Sequence, residues 1–218
     1  MIKNKPVAYV DLDHTLVNWD DTVIEYLKSI ESPSEKGKYD YSGDIWEIEK
    51  IPGIRNRLNL IMSKKNFWNE LDPIESGMQL YMRLVDAGFE VCILTKATIK
   101  CSLVWEEKIE WIRHNLGDVE VNIVSGTKGR HLGDLLVDDF VKNAEEWILN
   151  NPNGHVIVPI RKSNKNYKPT HPNIHMWDDS PVKEYVSDFG EIMKTDYNFS
   201  LPNRIIKQIV SNTNELKR

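Results

Sequence analysis

Cysteine is nearly absent. The 218 residues hold two, Cys92 and Cys101, too few for a disulfide framework and at a spacing that matches no zinc site. Cys92 falls in an apolar run, where a free thiol behaves as a small hydrophobe, and Cys101 falls in a loop or helix start. No apolar run is long enough to span a bilayer, and the stretch before Asp11 is too short for a signal peptide, so the expected location is cytoplasmic, with no membrane partner. An excess of positive charge is also missing. The formal net charge is -5, which offers no electrostatic footprint for duplex nucleic acid and requires any anionic ligand to be met by local cations. There is no internal repeat. With 40% hydrophobic and 28% charged residues, the chain has ordinary globular composition and room for one α/β domain with a small insertion.

What is present is an alternation of short apolar runs and helical spacings. Residues 7–10 read as a buried strand ending in Asp11-Leu12-Asp13, followed by a helix at 17–29. The polar stretch 31–44, with Pro33, Gly37 and Gly43, precedes helical patterning at 45–65 and reads as part of an insertion. Helices are expected at 77–87, 103–115, 141–149 and 182–193. Strands are expected at 89–94, 120–124, 135–137, 155–160 and 173–177. This order predicts a mostly parallel sheet covered on both faces.

In such sheets ligands bind beyond the carboxyl ends of the strands. The polar residues there form a set: Asp11 and Asp13 after the first strand, Thr95 after the second, and Asp138 and Asp139 after the fourth, with Lys128 in the preceding loop. Singly, each reads as a helix cap or a solvated charge. Jointly, several carboxylates at one sheet edge call for a hard divalent cation, and Mg²⁺ is the natural one.

These residues, as Asp11-Leu12-Asp13-His14-Thr15, Thr95, Lys128 and Asp138-Asp139, resemble the four motifs of the haloacid dehalogenase superfamily. The resemblance implies a three-layer, Rossmann-like parallel sheet with a small helical cap inserted after the first strand. It also implies a two-step phosphoryl transfer. Asp11 would attack phosphorus while Asp13 protonates the leaving oxygen and then activates water; Thr95, Lys96 and Lys128 would hold the phosphoryl oxygens. Mg²⁺ would be held by Asp11, Asp13, Asp138 and Asp139, with Asp138 as the direct motif-four ligand and Asp139 behind it or pairing Lys128. Phe67-Trp68-Asn69-Glu70-Leu71-Asp72-Pro73, Glu107-Lys108-Ile109-Glu110-Trp111 and Leu135-Leu136-Val137-Asp138-Asp139 are further similar to deoxyribonucleotidases acting on 5′-nucleotides, over about residues 7–147, with a weaker likeness at Trp177-Asp178-Asp179. Thr95 is followed by Lys96-Ala97-Thr98, where that family more often has a small hydroxyl residue and then proline, so Lys96 adds a charge to the phosphate loop.

The expected domains are a core of residues 1–17 and 76–218 and a cap of 18–75. The partner is a small phosphomonoester, a nucleotide by resemblance, with a homodimer left open. In the cap, Phe67, Trp68 and Trp46 are read as substrate-binding, Phe67 foremost, against the alternative that they form the cap's own core. Another small phosphoester, a nucleic-acid end, and a catalytically silent binding module stand as the rival readings. The basic stretch 161–168 reads as a solvated loop. His171 and His175 flank Pro172 and do not suit a zinc site. Gly126-Thr127-Lys128-Gly129 lacks the ending of a nucleotide triphosphate loop.

Overall fold

The computed structural model describes residues 5–97, 102–186 and 192–215; Thr98 and Cys101 lie outside the described residues. Six strands form one parallel sheet: β1 (Val7–Val10), β2 (Glu90–Lys96), β3 (Glu120–Val124), β4 (Leu135–Val137), β5 (His155–Pro159) and β6 (Ile174–Trp177), in the order β3-β2-β1-β4-β5-β6. β1 therefore sits between β2 and β4. The chain winds outward from it in both directions, which opens a crevice beyond its carboxyl end.

Successive side chains on a strand point to opposite faces, and this period sorts the core into two layers. Leu135, Val137 and Ile157 pack on one face, against Leu80 and Leu84 of α4 (Glu75–Asp86), Trp111 and Ile112 of α5 (Ser102–Leu116), and Ile205 and Ile209 of the last helix. Leu136, Val156 and Val158 pack on the other, against Ala144, Trp147 and Ile148 of α6 (Val141–Asn150). The three-layer arrangement follows.

Between β1 and α4 lie α1 (Trp19–Ser29), α2 (Ile45–Ile48) and α3 (Ile54–Met62). α1 begins at residue 19 because the Asn18 side chain accepts from the Asp21 N–H, capping it. The single helical run expected at 45–65 is two helices. Pro52-Gly53 interrupts it, and Gly53 takes φ 83°, a left-handed backbone open to glycine. The start of α4 presses on the loop after β1. A Cβ on Gly77 would lie 1.9 Å from the Thr15 carbonyl oxygen, so only glycine permits this approach. The Asn18 N–H donates to the Asp72 carbonyl and the Ile74 N–H to the Leu16 carbonyl, both at 2.8 Å, closing the excursion onto its own base.

Two elements depart from expectation. In place of the helix expected at 182–193, of which 187–191 lie outside the described residues, β7 (Pro181–Val186) pairs antiparallel with β8 (Ile192–Tyr197). Its apolar spacing fits a helix, but the β-branched and aromatic content of Val182, Tyr185 and Val186 favours extended chain, and antiparallel pairing decides it. α7 (Ser200–Glu215) was not anticipated, although Leu201, Ile205 and Ile209 recur every four residues. Among the described residues no helix is long and apolar enough to cross a membrane.

Candidate active site

β1 and β4 are paired in register, Val10 beside Val137, so the residues that follow them emerge side by side. Asp11 continues the ladder, its N–H donating to the Val137 carbonyl at 2.8 Å. Asp11, Asp138 and Asp139 are all buried and offer carboxylate oxygens within 4.8 Å of one another. Lys128, fully buried in a 3₁₀ turn (Lys128–Arg130), places its Nζ 2.6 Å from Asp11 Oδ1 and 2.8 Å from Asp138 Oδ2. Burial opposes its charge, yet the two carboxylates together raise its pKa above the ordinary lysine range.

The two adjacent acids have different surroundings. Asp138 accepts from Lys128 Nζ, from the Phe140 N–H at 2.9 Å and from Asn143 Nδ2 at 3.1 and 3.0 Å, so both oxygens are engaged. Asp139 has no side-chain hydrogen bond among the described residues, and burial, then the charges of Asp138 and Asp11, push its pKa well up. The expected pairing of Lys128 with Asp139 is not what is seen: Lys128 is paired by Asp138, and Asp139 is the carboxylate without a side-chain hydrogen bond among the described residues. A buried, unpaired carboxylate beside two others, with a single lysine among them, is a deficit of positive charge. The hard oxygen donors present fit a cation such as Mg²⁺.

Asp13 does not join this group. Its carboxylate is turned to Lys108, whose Nζ lies 2.5 Å from Oδ2, so its expected place among metal-holding side chains is not where the structure puts it. Lys108 also donates to Thr95 Oγ1 at 3.3 Å and to the Lys96 carbonyl at 2.8 Å, tying the ends of β1 and β2 together. In the sequence Lys108 stands out only through the family resemblance of Glu107-Lys108-Ile109-Glu110-Trp111. Its signal was there: Val104, Lys108, Trp111 and Ile112 share the buried stripe of α5, and a lysine in such a stripe needs a counter-charge. Glu107, equally buried, accepts from the N–H groups of Asn66 and Trp68 at 2.6 and 3.0 Å and so fixes the loop before α4 against α5.

Beyond the acids opens a cavity of about 220 Å³, lined at its floor by Asp11, Asp13, Lys96, Lys128, Asp139 and Asn143 and walled by His14, Trp19, Trp46, Trp68 and Phe140. Thr95 is fully buried beneath the floor. Lys96 Nζ donates to Asn143 Oδ1 at 2.7 Å, which carries its charge toward Asp138. Trp68 and Trp46, expected as substrate-binding, line the cavity. Phe67 does not: it is 2% exposed, packed on Tyr26 at 6.0 Å and edge-on to Trp68 at 5.2 Å, and forms core under the wall. The side chain of residue 67 points inward because the loop places its neighbour Trp68 against Trp19, nearly parallel at 6.4 Å. Trp19, Phe140, His14 and Asn143 were not singled out from sequence as site residues. Phe140 and Asn143 follow Asp139 on the same turn, which was the available clue.

The loop after β1 is braced from behind. Arg161 donates through Nε to the His14 carbonyl at 2.7 Å and pairs both terminal nitrogens with Asp179 at 2.7 and 3.0 Å, and Asp179 accepts from Ser76 Oγ at 2.7 Å. The basic stretch 161–168 thus begins with a structural arginine, while Lys162, Lys165 and Lys168 are exposed, as expected for a solvated loop.

Comparison with known proteins agrees with this geometry. The profile of the family described as "5' nucleotidase, deoxy (Pyrimidine), cytosolic type C protein" matches residues 5–187. A protein of Vibrio phage KVP40 named "Putative 5'(3')-deoxyribonucleotidase" is 25% identical over 142 residues, covering 64% of this chain and 69% of that protein. Among solved structures, a dehalogenase crystallised with an intermediate complex superposes with a TM-score of 0.51 at 10% identity, covering 81% of this chain and 94% of that one, a likeness of fold. A haloacid dehalogenase-like hydrolase from Xanthomonas campestris aligns over 97% of this chain and 100% of its own, at 11% identity and TM-score 0.49. The chain belongs to the type C 5′-nucleotidase family and is by that a phosphoric monoester hydrolase.

Proposed function

We propose that the protein hydrolyses 5′-(deoxy)nucleoside monophosphates to nucleoside and phosphate, with Mg²⁺, through an aspartyl-phosphate on Asp11. The observation that carries this reading is the state of Asp11. Its Oδ1 is held by Lys128 Nζ at 2.6 Å and by the Leu12 N–H at 2.7 Å, while Oδ2 has no partner among the described residues, at the floor of the cavity. A carboxylate fixed through one oxygen keeps the other oriented for in-line attack on phosphorus.

Asp13, two residues on and outside the carboxylate cluster, acts as the general acid that protonates the leaving oxygen, and then as the base that activates water. Lys108 holds its Oδ2, leaving Oδ1, which is buried and unpartnered, to carry the proton. Lys96 and Lys128, on the cavity floor, bind the transferred phosphoryl group, with Thr95 beneath them holding Lys108. Asp11 and Asp139 hold the cation, with Asp138 fixing Lys128 behind them. Bound there, Mg²⁺ supplies charge neutralisation between anionic nucleophile and anionic substrate.

Residues 18–75 act as a cap on a core of 1–17 and 76–218. Trp19, Trp46 and Trp68 from that segment, with Phe140 from the core, form aromatic walls against which a nucleobase stacks. This favours a nucleotide over other small phosphoesters, because phosphate and cation contacts are the same for every monoester and selection must come from the walls.

The test is phosphate release from a panel of nucleoside monophosphates and sugar phosphates with and without Mg²⁺, for the native chain and Asp11→Asn. The native chain should act on nucleotides in a Mg²⁺-dependent way, and the variant should lose on the order of 10³-fold or more in kcat, since an amide cannot attack phosphorus. Turnover of Asp11→Asn near the native rate removes Asp11 as nucleophile, and a preference for sugar phosphates removes the nucleotide reading.

A further inference from the structure

Among the described residues that line the cavity wall, His14 stands apart as a ring with two polar nitrogens between the tryptophans and the floor of acids, lysines and Asn143. Three features show that it is held there. Its backbone is left-handed, φ 57°, a region that non-glycine residues avoid unless the surroundings fix them. Arg161 Nε clamps its carbonyl at 2.7 Å. Its ring stands edge-on to Trp19, 5.1 Å between centroids at 89°, with Nε2 turned to Asp20 Oδ1 at 3.5 Å.

That orientation leaves Nδ1 with no hydrogen-bond partner among the described residues, while the side chain is 14% exposed. At that distance from Nε2, Asp20 Oδ1 takes no hydrogen bond from the ring, and a neutral imidazole keeps one acceptor nitrogen. Trp19, on which the ring packs, has its own Nε1 buried without a hydrogen-bond partner. A ring nitrogen without a protein partner at the edge of an open cavity is placed to take a hydrogen bond from a ligand hydroxyl.

Position selects which part of the ligand. His14 immediately follows Asp13, and consecutive Cα atoms are about 3.8 Å apart. In the reading proposed above, Asp13 meets the 5′-oxygen of the leaving nucleoside. Only the carbon atoms C5′, C4′ and C3′ separate that oxygen from the 3′-hydroxyl, whereas the base lies beyond the sugar, among the tryptophans. We propose that His14 is a specificity-determining residue that accepts a hydrogen bond from the 3′-hydroxyl of the substrate's sugar. The inference rests on the nucleotide reading and adds to it a sugar subsite on the motif-one loop.

The test uses a matched pair, thymidine 5′-monophosphate and its 3′-deoxy analogue, which differ in that hydroxyl alone. The native chain should favour the hydroxylated substrate in kcat/KM by roughly tenfold, the scale of one hydrogen bond in a partly open site. In His14→Gly the ratio should fall to about one, with an unfolding temperature no lower than native, because glycine suits the left-handed backbone. His14→Asn, which tolerates that backbone and restores an acceptor, should recover part of the ratio. If the native chain hydrolyses both nucleotides equally, or His14→Gly keeps the native ratio, the subsite is refuted while the nucleotide reading stands. If neither nucleotide is hydrolysed and sugar phosphates are, both fall.

Discussion

Exchanging Asp138 and Asp139 for Asn, one at a time, separates two neighbouring carboxylates by what each is bonded to. Asp138 receives four hydrogen bonds, from Lys128, Phe140 and, twice, Asn143. An amide there must turn its NH₂ group against one of these donors and leaves buried Lys128 with Asp11 alone. Removing one member of a buried ion pair costs about 3–5 kcal/mol. Asp139 receives none, and its ionised form is opposed by burial and by Asp138 and Asp11. In protein stripped with chelator, Asp139→Asn removes that repulsion and should leave stability unchanged or raise it by on the order of 1 kcal/mol. The Mg²⁺ requirement should rank the other way. Loss of a direct ligand should raise it beyond the roughly 10–100-fold typical of a partner one step removed. Thermal unfolding in chelator, followed by Mg²⁺ titration of phosphate release, reads both quantities. Should Asp138→Asn unfold at the native temperature and show the larger rise in Mg²⁺ requirement, the assignment by hydrogen-bond partners is wrong.

Trp46 and Phe67 form a contrasting pair. Trp46, 45% exposed at the cavity mouth, should on replacement by Ala lower kcat/KM for nucleotides by about 1–3 kcal/mol with little change for a small aryl phosphate or in stability; Phe67→Ala should instead lower stability by about 3–5 kcal/mol and affect both substrates alike. An unchanged nucleotide-to-aryl ratio in Trp46→Ala would remove it from the binding wall. Asp20 sets a pH dependence. Burial, then Asp44 and Asp21, raise its pKa to about 7 against the opposing charges of Lys162 and Arg161, with His14 facing it. A folded pKa above the unfolded value of 3.8 means that the stability it contributes is full below pH 3.8 and is lost as pH rises through about 7. Relative to Asp20→Asn, the native chain should therefore lose up to about 4 kcal/mol between pH 4 and 8, and less to the extent that the N-terminus of α1 favours its charge. Chemical denaturation at both pH values measures it, and parallel profiles for the two proteins would show that Asp20 titrates normally.

Strand-end residues were legible because their position is a local property of the chain. An apolar run followed by Asp11 or Asp138 marks the edge of a sheet without any knowledge of what lies opposite. The roles of Asp138 and Asp139 were not legible for the same reason. Successive residues after a strand face different sides, and which side meets Lys128 depends on the pairing of β4 between β1 and β5. Phe67 and Trp68 pose the same problem in the loop before α4, where Glu107, 39 residues away from Trp68, accepts the N–H that sets which ring turns outward. The pair β7–β8 was misread because period and propensity disagreed there, and strand pairing settled what neither could. Lys108 shows how such a gap narrows. A charged residue on an otherwise buried helical stripe must be paired, so its presence at the apolar face of α5 obliges an acid to lie opposite. The nearest unclaimed acid at a strand end is Asp13, which Lys108 indeed meets. Applied to Glu107 on the same face, this rule requires donors, and the structure supplies them as backbone N–H groups of the loop that carries Trp68. The adjacent pair Glu107-Lys108 thereby joins the position of Asp13, the proposed general acid, to the position of the aromatic wall. Substitutions in α5 should accordingly couple leaving-group protonation to leaving-group selection, although this helix contributes no residue to the cavity lining.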